Sequence, residues 1–503
     1  MGVSVTKTAE GYETCNTFKV PGVEEEVAMV SDPPHILKNQ RNALFNNKVL
    51  TLGDKYVQEA ELEHNEVKFE YIKKMVEFQE DNRQLFICPH LSRTDIDIGR
   101  FTKMKVKHAK HVLSRETQSA LEFCVDKYPQ EFPREALTTA WFCGKVGRYY
   151  DIMTCRGRAQ AFSYDRPEKF REQVDYINWF MLMYADTLLG PHHKGGLLPT
   201  QRGTIMSSIS MIWIAKYMLA QDGVKFFRAG LVSNDPIENF HSSARANNPK
   251  PTCLGFMRVC KAISMCQCLD GSDDGSYDKD GSTNFLTDLK EAKEAKEKAR
   301  IEATIQENDV AEGKDEAAED SEFARVINPS IYDDDLNVEE DIAEVNALAY
   351  LTGYLLLKTV VHSKCAKCIE EFVADENDEQ LCNELIRMRD YRVGALCRPT
   401  IFANNLTQIA EKVFRREQDR LKNQKKERLG DKITSKILLQ WENDSPEVPK
   451  CHLKIIAARF AKLRLHFFGT FTSRRLEKNQ KKKLVQESNA SRSTVPLYAP
   501  NMK

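Results

Sequence analysis

The chain has 503 residues, of which 41% are hydrophobic and 29% are charged, and this composition excludes collagen-like and wholly disordered proteins. At about 150 residues per domain, the length predicts roughly three domains. No apolar run reaches the ~18 residues that a membrane helix needs, and the N-terminus has no basic stretch followed by an apolar one, so we expect neither a membrane helix nor a secretory signal. The 14 cysteines are sparse for a disulfide scaffold and favour a reducing compartment.

The net charge of −1 conceals two segments of opposite sign. Residues 302–344 contain 16 acidic and 2 basic residues, whereas residues 451–503 contain 12 basic and 2 acidic ones. A basic body interrupted by an acidic insert is typical of proteins that bind a polyanion. Solvated surface charge gives the same composition, so both interpretations stay open. We predict that residues 266–345 are a largely disordered insert with one charged helix.

The first acidic motif lies at a predicted junction between a strand and a helix. Residues 24–31 predict a short strand, which two prolines end. Residues 35–45 predict a short helix, so Asp32 falls where open α/β sheets present functional side chains. A carboxylate followed by His35 suits a metal or phosphate site, although Asp-Pro is also a common helix start.

The second acidic motif, NDPIENFHSSAR, occupies residues 234–245. Asp235 can cap a helix that begins at the following proline, and this is its simplest structural role. Glu238 lies one turn into that helix, on the same face as Ser242 and Arg245. A helix glutamate directed at a strand-end aspartate can hold divalent metal ions for phosphoryl transfer, but two carboxylates are usually too few for a pair of ions.

The segment between the two motifs is predicted to be mainly helical. Apolar residues recur there at three- and four-residue spacing over 105–127, 168–190 and 203–222. An apolar, dense segment returns at residue 347, and helices are predicted from there to about residue 428.

Together the two motifs resemble the P-element-type transposases, a family that includes the THAP-finger transposases. SDPPHILKNQRN and SNDPIENFHSSAR are similar to the family phrases DPPHLLKN-RN and N-D-x-x-EN-F-S-x-R. Four further phrases follow the family's order: KMKVKHAKHVLS (103–114), YYDIMTCR (149–156), LPTQRGTI (198–205) and ALAYLTGYLLLK with CAKC (347–368). The resemblance covers about residues 24–480.

This resemblance implies an α+β, mostly helical fold, in which a helical GTP-binding domain is inserted into an RNase H-like α/β core. On that basis we predict a partial RNase H-like core at 1–74, the GTP-binding insertion domain at 75–230 and the catalytic-helix region at 231–265. The acidic insert at 266–345 and a helical C-terminal region with a basic tail at 346–503 complete the prediction.

The resemblance also implies a catalytic metal site. Asp32 matches the family's second catalytic aspartate and Glu238 its catalytic glutamate. Both are thereby predicted ligands of Mg²⁺, which drives DNA strand cleavage and joining in the intact family.

A GTP site is implied in the same way. Asp151 matches an aspartate that recognises guanine, and Asp235 matches a second residue near the base. A carboxylate can accept hydrogen bonds from guanine N1–H and N2–H₂, which adenine does not offer. Tyr150 is predicted to stack on the base, and Lys105 or Lys107 is predicted to approach the nucleotide, with no choice between the two.

The sequence departs from the family pattern at several positions. No aspartate precedes Asp32 to match the first catalytic aspartate, and Cys15 is the only cysteine before Cys88, so the N-terminal zinc finger has no counterpart. Thr154 and His241 replace an asparagine and an aromatic or apolar residue. We therefore expect an N-terminally truncated, catalytically incomplete transposase.

A CxxC pair, Cys365 and Cys368, is a candidate half of a zinc site. His362, Cys382 and Cys397 are further candidate ligands for a tetrahedral ion. Buried or reduced thiols without a metal are the alternative, and the sequence alone favours them.

The functional prediction is a GTP-binding and DNA-binding protein of the nucleus that recognises transposon ends. Basic segments at 415–429 and 474–483 suit contact with the phosphate backbone or nuclear import, or are solvated helix ends. The alternative is a non-catalytic, domesticated GTP- or nucleic-acid-binding protein or repressor. A homo-oligomer is left open.

Overall fold

The structure is a computed structural model, and it describes residues 4–8, 11–22, 24–81, 85–99, 102–234, 237–238, 240–241, 252–269, 341–375, 380–391, 395–421, 429–444 and 451–465. The chain divides into two compact units. Unit 1 comprises residues 1–35, 151–175 and 206–313. Unit 2 comprises residues 36–150, 176–205 and 314–503.

The described chain is mostly helical, as predicted. The longer helices are Pro33–Asn47, Phe69–Asp81, Arg115–Lys127, Ala136–Met153, Pro167–Asp186, Pro199–Leu219, Cys253–Leu269, Ile342–Leu356, Ile401–Leu421, Leu429–Asp444 and residues 451–465. The shorter ones are Asp54–Glu59, Arg93–Ile96, Val106–Val112, Ala366–Phe372 and Glu384–Arg389. Within the described ranges, each helix is too short or too polar to span a lipid bilayer.

The described strands form three separate two-stranded antiparallel sheets. Their pairs are Ser4–Thr8 with Gly11–Cys15, Thr17–Lys19 with Glu26–Ala28, and Val49–Thr51 with Glu66–Lys68. An RNase H-like core needs one larger mixed sheet, which these strands do not assemble. The RNase H-like core therefore stays a prediction.

Several predicted elements are confirmed with altered bounds. The strand expected over 24–31 is Glu26–Ala28, and the helix after Asp32 starts at Pro33, where a proline costs no backbone hydrogen bond. The helix expected over 105–127 is broken in two at Ser114. That residue is extended (φ −138°, ψ 162°), and its hydroxyl accepts from the Thr117 N–H as the cap of the second helix.

Most of the predicted acidic insert lies outside the described residues, as does the basic segment 474–483. The helix Cys253–Leu269 contains residues 266–269, and the next described helix begins at Ile342. The charged helix predicted within the insert also falls outside the described residues.

In unit 1, paired polar contacts hold the segment before the first helix. The Ser31 N–H donates to the Ser207 hydroxyl at 2.8 Å, and that hydroxyl donates back to the Ser31 carbonyl at 2.8 Å. Nearby, Phe162 and Phe227 exchange two backbone hydrogen bonds and stack with ring centroids 6.2 Å apart. These contacts place Asp32 next to the segment that carries the second acidic motif.

In unit 2, the C-terminal helices close around a hydrophobic core. Trp441 is 1% exposed, and its indole N–H donates to the Leu406 carbonyl at 2.7 Å. Close by, Glu411 accepts from both Arg415 (2.8 Å) and Arg464 (2.6 Å) while fully buried. A buried carboxylate is stable in its charged form only with such partners.

Unit 2 also joins the C-terminal helices to residues that lie far earlier in the chain. Tyr128 donates to the Asp341 carboxylate at 2.7 Å, directly before the helix Ile342–Leu356. The Arg389 guanidinium, 4% exposed, donates to the Ser119 hydroxyl at 3.2 Å and to the Ile87 carbonyl. Residues 85–128 and 341–389 therefore share one packed interior.

Candidate functional site

The Asp32 carboxylate is nearly buried at the start of the helix Pro33–Asn47. Its Oδ1 accepts from the Asn234 backbone N–H at 3.0 Å. Its Oδ2 lies 2.6 Å from Nδ1 of His35, one turn along the helix. Asp32 thus contacts the beginning of the second acidic motif, although 202 positions separate it from Asn234.

Glu238 completes this cluster from the second motif. Its Oε1 lies 3.6 Å from Nε2 of His35, and its side chain is 57% exposed. The two predicted catalytic carboxylates, Asp32 and Glu238, are therefore brought to the two nitrogens of one imidazole. We call these three residues the acidic cluster, and all of them belong to unit 1.

The acidic cluster offers the donor chemistry that Mg²⁺ prefers. Carboxylate oxygens are hard ligands, and the exposed Glu238 can move toward an ion. His35 contacts both carboxylates, so an ion that binds Asp32 and Glu238 together either displaces the imidazole or takes it as a further ligand. The two carboxylates fit Mg²⁺, which prefers oxygen ligands.

The predicted nucleotide residues lie on two helices. Asp151 is exposed and Tyr150 is half-buried near the end of Ala136–Met153, where the preceding Tyr149 is buried and stacks on Phe180 with centroids 4.1 Å apart. Asp151 belongs to unit 1 and Tyr150 to unit 2.

The two candidate lysines lie at the start of another helix. Lys105 is the exposed N-cap of Val106–Val112, and Lys107 is exposed within that helix. Both side chains face solvent, so the structure does not choose between them. Asp235 lies outside the described residues, and these nucleotide roles remain predictions.

The CxxC pair lies next to two further ligand-type residues that the sequence analysis did not identify. Cys365 and Cys368 cluster with Cys451 and His452, and the four candidate ligand atoms lie within 4.8 Å of one another. We call these four residues the cysteine–histidine cluster. Burial and the neighbouring thiols raise the pKa of Cys368 to about 12, whereas the backbone N–H of Cys368 lowers the pKa of Cys365.

The other ligands that were considered for this zinc site lie elsewhere, which corrects that part of the prediction. His362 contacts the Leu357 carbonyl through Nδ1 at 2.7 Å, and Cys382 accepts from the Asn404 amide at 3.2 Å. Cys397 lines, with His362, a cavity of about 360 Å³. The sequence contained a hint of the residues that do lie near the CxxC pair, because Cys451 and His452 are adjacent and both are ligand-type residues.

A second cluster of ligand-type side chains surrounds Asp95 in unit 2. One oxygen of this carboxylate lies 2.7 Å from Nδ1 of His108 and 2.9 Å from Nδ1 of His111. The other oxygen accepts from the backbone N–H and hydroxyl of Ser92 at 2.8 and 2.7 Å. The spacing of two histidines in KHAKH, three apart on one helix face, was the missed signal.

The pKa of Asp95 depends on its burial and on the groups that donate to it. Burial alone would raise the pKa of the carboxyl, which is 1% exposed. The hydrogen bond and charge of His111, with the hydrogen bonds from His108 and Ser92, outweigh burial and lower that pKa below its ordinary value. The cluster therefore stabilises the charged carboxylate.

Two family models match separate parts of the chain. The GTP-binding insertion domain of TNP-like proteins matches residues 34–167, and the C-terminal domain of the DNA transposase THAP9 matches residues 337–470. The transposable element P transposase of Drosophila melanogaster is 22% identical over 496 residues, which cover 97% of this chain and 57% of that protein. These matches support a P-element-type transposase family for this chain. It spans little more than half the length of that curated relative.

A solved structure of the same family also matches. The Drosophila P element transposase strand transfer complex is similar at 21% identity with a TM-score of 0.41, over 50% of this chain and 54% of that one.

The candidate sites differ in whether they lie inside the segments that match the family models. Lys105, Lys107, Tyr150 and Asp151 lie inside the segment that matches the GTP-binding insertion domain. The cysteine–histidine cluster lies inside the segment that matches the C-terminal domain. The acidic cluster lies mainly outside both P-element-type models, so its support comes from its geometry and motifs.

Proposed function

We propose that this chain is a transposase-type protein that binds DNA and GTP, and that Asp32 and Glu238 are Mg²⁺ ligands in an RNase H-like site. The observation that carries the proposal is the contact of both carboxylates with His35. The two motifs lie about 200 residues apart, and the family's chemistry needs them together. The similarity of the chain to the two family models and to the P transposase supports the same assignment.

The proposed metal site needs more ligands than the two carboxylates. Two divalent ions that clamp the attacking and leaving oxygens of a phosphodiester need several anionic ligands. Asp32 and Glu238 supply two carboxylates. Strand cleavage and transfer are therefore proposed to require a third anionic ligand.

GTP binding is proposed for the region that matches the insertion domain. Asp151 is exposed, and a carboxylate can accept from guanine N1–H and N2–H₂. Tyr150 is proposed to stack on the base, Lys105 or Lys107 to approach the nucleotide, and Asp235 to lie near the base. A nuclear location follows from the proposed DNA substrate.

The second candidate is a non-catalytic GTP- and DNA-binding protein or repressor. One observation favours it: both oxygens of Asp32 already have hydrogen-bond partners in Asn234 and His35. A carboxylate that is satisfied in this way is stable without a metal ion, so the acidic cluster is also compatible with a purely structural role.

The GTP part of the proposal is tested by competition binding with a fluorescent GTP analogue. We expect the full chain to prefer GTP to ATP by at least about tenfold, which corresponds to about 1.4 kcal/mol. Asp151→Ala should abolish that preference. Asp175→Ala, another exposed aspartate of unit 1, is the matched control and should retain it. Equal affinity of the wild-type chain for both nucleotides contradicts the proposal.

The two candidate functions are separated by a strand-transfer assay with Mg²⁺ or Mn²⁺ and transposon-end DNA. Residual joining that disappears in Asp32→Asn and Glu238→Gln supports the catalytic reading. DNA and GTP binding without detectable joining in the wild-type chain supports the repressor reading. Loss of DNA binding in the folded wild-type chain contradicts both.

A further inference from the structure

The cysteine–histidine cluster joins two segments that lie far apart in the sequence. Cys365 and Cys368 flank the start of the helix Ala366–Phe372, and Cys451 and His452 begin the helix 451–465. The Cys368 N–H donates to the Cys365 carbonyl at 3.1 Å, so the CxxC backbone makes a tight turn. The preceding Lys364 has φ +52°, a left-handed conformation that directs the chain into this turn.

The distances between the ligand atoms are close to those of a tetrahedral zinc site. Bonds of about 2.3 Å from zinc to sulfur and about 2.0 Å to nitrogen place sulfurs about 3.8 Å apart and a sulfur and nitrogen about 3.5 Å apart. The Cys365 and Cys451 sulfurs are 3.9 Å apart, and Cys368 Sγ is 3.4 Å from Nδ1 of His452. Cys368 and Cys451 are closer, at 2.9 Å, and an ion would separate them by less than about 1 Å.

A disulfide is the competing chemistry for these thiols. The Cys368 and Cys451 sulfurs are 2.9 Å apart, longer than the about 2.05 Å of a disulfide bond, and both are free cysteines in the structure. A disulfide between these two would also leave Cys365 and His452 without a shared role. Three thiols and one imidazole that meet at one point are typical of a zinc site, whereas a disulfide needs only two of the thiols.

We propose that Cys365, Cys368, Cys451 and His452 bind one Zn²⁺ ion in a closed, structural site. Three thiolates and one imidazole satisfy four-coordinate zinc with protein ligands alone, so no position remains for a substrate. The exposed Lys364 precedes the CxxC pair and the exposed Lys367 lies within it, and both offset the net negative charge of a tris-thiolate zinc centre.

The proposed site connects the helix 451–465, the last described helix, to the hydrophobic core of the C-terminal region. Leu453, Ile456 and Phe460 of the helix 451–465 are at most 7% exposed and belong to the same hydrophobic cluster as Phe372. Zinc at the base of this helix anchors its first turn to the segment that ends in Phe372. The ion therefore adds a cross-link between parts of unit 2 that are 83 or more residues apart in sequence.

The proposal is tested by the zinc content of the purified full chain, measured by plasma mass spectrometry after exhaustive dialysis. We expect about one zinc per wild-type chain and less than about 0.1 in Cys365→Ser and Cys451→Ser, because three ligands hold the ion much more weakly than four. Cys365 and Cys451 are chosen because neither is fully buried. Cys253→Ser and Cys382→Ser, an exposed and a half-buried cysteine outside the cluster, are the matched controls and should retain about one zinc.

A cobalt-exchange experiment decides the case if a variant does not fold. Co²⁺ in the wild-type chain should show thiolate charge-transfer bands and the intense visible bands of a tetrahedral ion. Removing zinc with a chelator should also lower the melting temperature of the wild-type chain, and should leave that of a folded Cys451→Ser variant unchanged. A folded wild-type chain without zinc and without tetrahedral cobalt bands overturns the proposal. So does a Cys368–Cys451 disulfide found by thiol counting, or zinc that is retained equally in all the variants.

Discussion

The imidazole of His35 lies between Asp32 and Glu238, with Nδ1 2.6 Å from one carboxylate and Nε2 3.6 Å from the other. Asp32 is nearly buried and Glu238 is largely exposed, so the two carboxylates differ in mobility. A divalent ion that binds both carboxylates would meet His35 either as a competitor or as a third ligand. Substitution of this histidine separates the two cases.

Substitutions in the acidic cluster should change the affinity for Mn²⁺ in opposite directions. Asp32→Asn and Glu238→Gln each remove a charged ligand and should weaken Mn²⁺ binding at least about tenfold, or about 1.4 kcal/mol. His35→Ala removes the competitor and should strengthen binding. Titration calorimetry or the Mn²⁺ electron spin resonance signal measures both effects. Glu25→Gln, at an exposed glutamate of unit 1, is the control, and weaker binding in His35→Ala would show that the histidine is itself a ligand.

Asp95→Asn should destabilise the chain most at neutral pH. The amide keeps the shape of the side chain but loses the charge that His108, His111 and Ser92 stabilise, and a hydrogen bond to a charged group contributes about 1.5–3 kcal/mol. Because the pKa of Asp95 is lowered by folding, its contribution is present above the ordinary value of 3.8 and is lost as the pH falls through the lower folded pKa. Thermal melts of wild type and variant from pH 7 downward should therefore converge in acid. Asp97→Asn, at an exposed neighbouring aspartate, should match wild type throughout.

Gly147→Ala should disturb the contact of the helix Ala136–Met153 with the turn before Arg115–Lys127. A Cβ at this position would lie 2.9 Å from the Ser114 Cα and 3.1 Å from the Arg115 nitrogen, and these backbone atoms cannot turn aside. Overpacking of this kind costs about 1–3 kcal/mol. Denaturant unfolding measures the loss. Gly157→Ala adds a methyl group where no atom lies within 4 Å and should be nearly neutral, and equal stability of the two variants would argue against the helix contact.

Glu411→Gln should destabilise unit 2 strongly. The buried carboxylate compensates Arg415 and Arg464, and burial would raise its pKa, but the two guanidinium charges outweigh this and lower the pKa. Removing one partner of a buried ion pair costs about 3–5 kcal/mol, because the remaining charge is left in a nonpolar environment. The melting temperature of the full chain should fall well below that of Glu442→Gln, an exposed glutamate on a neighbouring helix. Equal melting temperatures would refute the compensating role of Glu411.

Local features were the most predictable part of the molecule. The DPP tripeptide predicts a helix that starts after Asp32, and the structure confirms it, because a proline is favoured in the first helical turn. The break at Ser114 was missed, because the apolar spacing continues across it and only the side-chain cap interrupts the helix. The spacing of apolar residues reports which side chains are buried. A helix can end while the same side of the chain stays buried, so this spacing does not show where one helix stops and the next begins.

Contacts between distant segments were predicted only where a family motif supplied both halves. Asp32 and Glu238 were paired in this way, but the position of His35 between their carboxylates depends on rotamers that no pattern encodes. Cys451 and His452 lie more than 80 residues from the CxxC pair, so local spacing offered His362, Cys382 and Cys397 instead. The assembly of unit 2 decides which cysteines meet.

The hydrogen bonds from Tyr128 to Asp341 and from Arg389 to Ser119 and Ile87 affect how fragments of this chain can be produced. The segments that match the two family models, 34–167 and 337–470, are separate as stretches of sequence, but these bonds join parts of both within unit 2. A recombinant piece that stops near residue 167 would expose the surface on which Arg389 and the helix Ile342–Leu356 pack. Co-expression of both segments as separate polypeptides is thus a natural way to test the proposed nucleotide binding in a fragment.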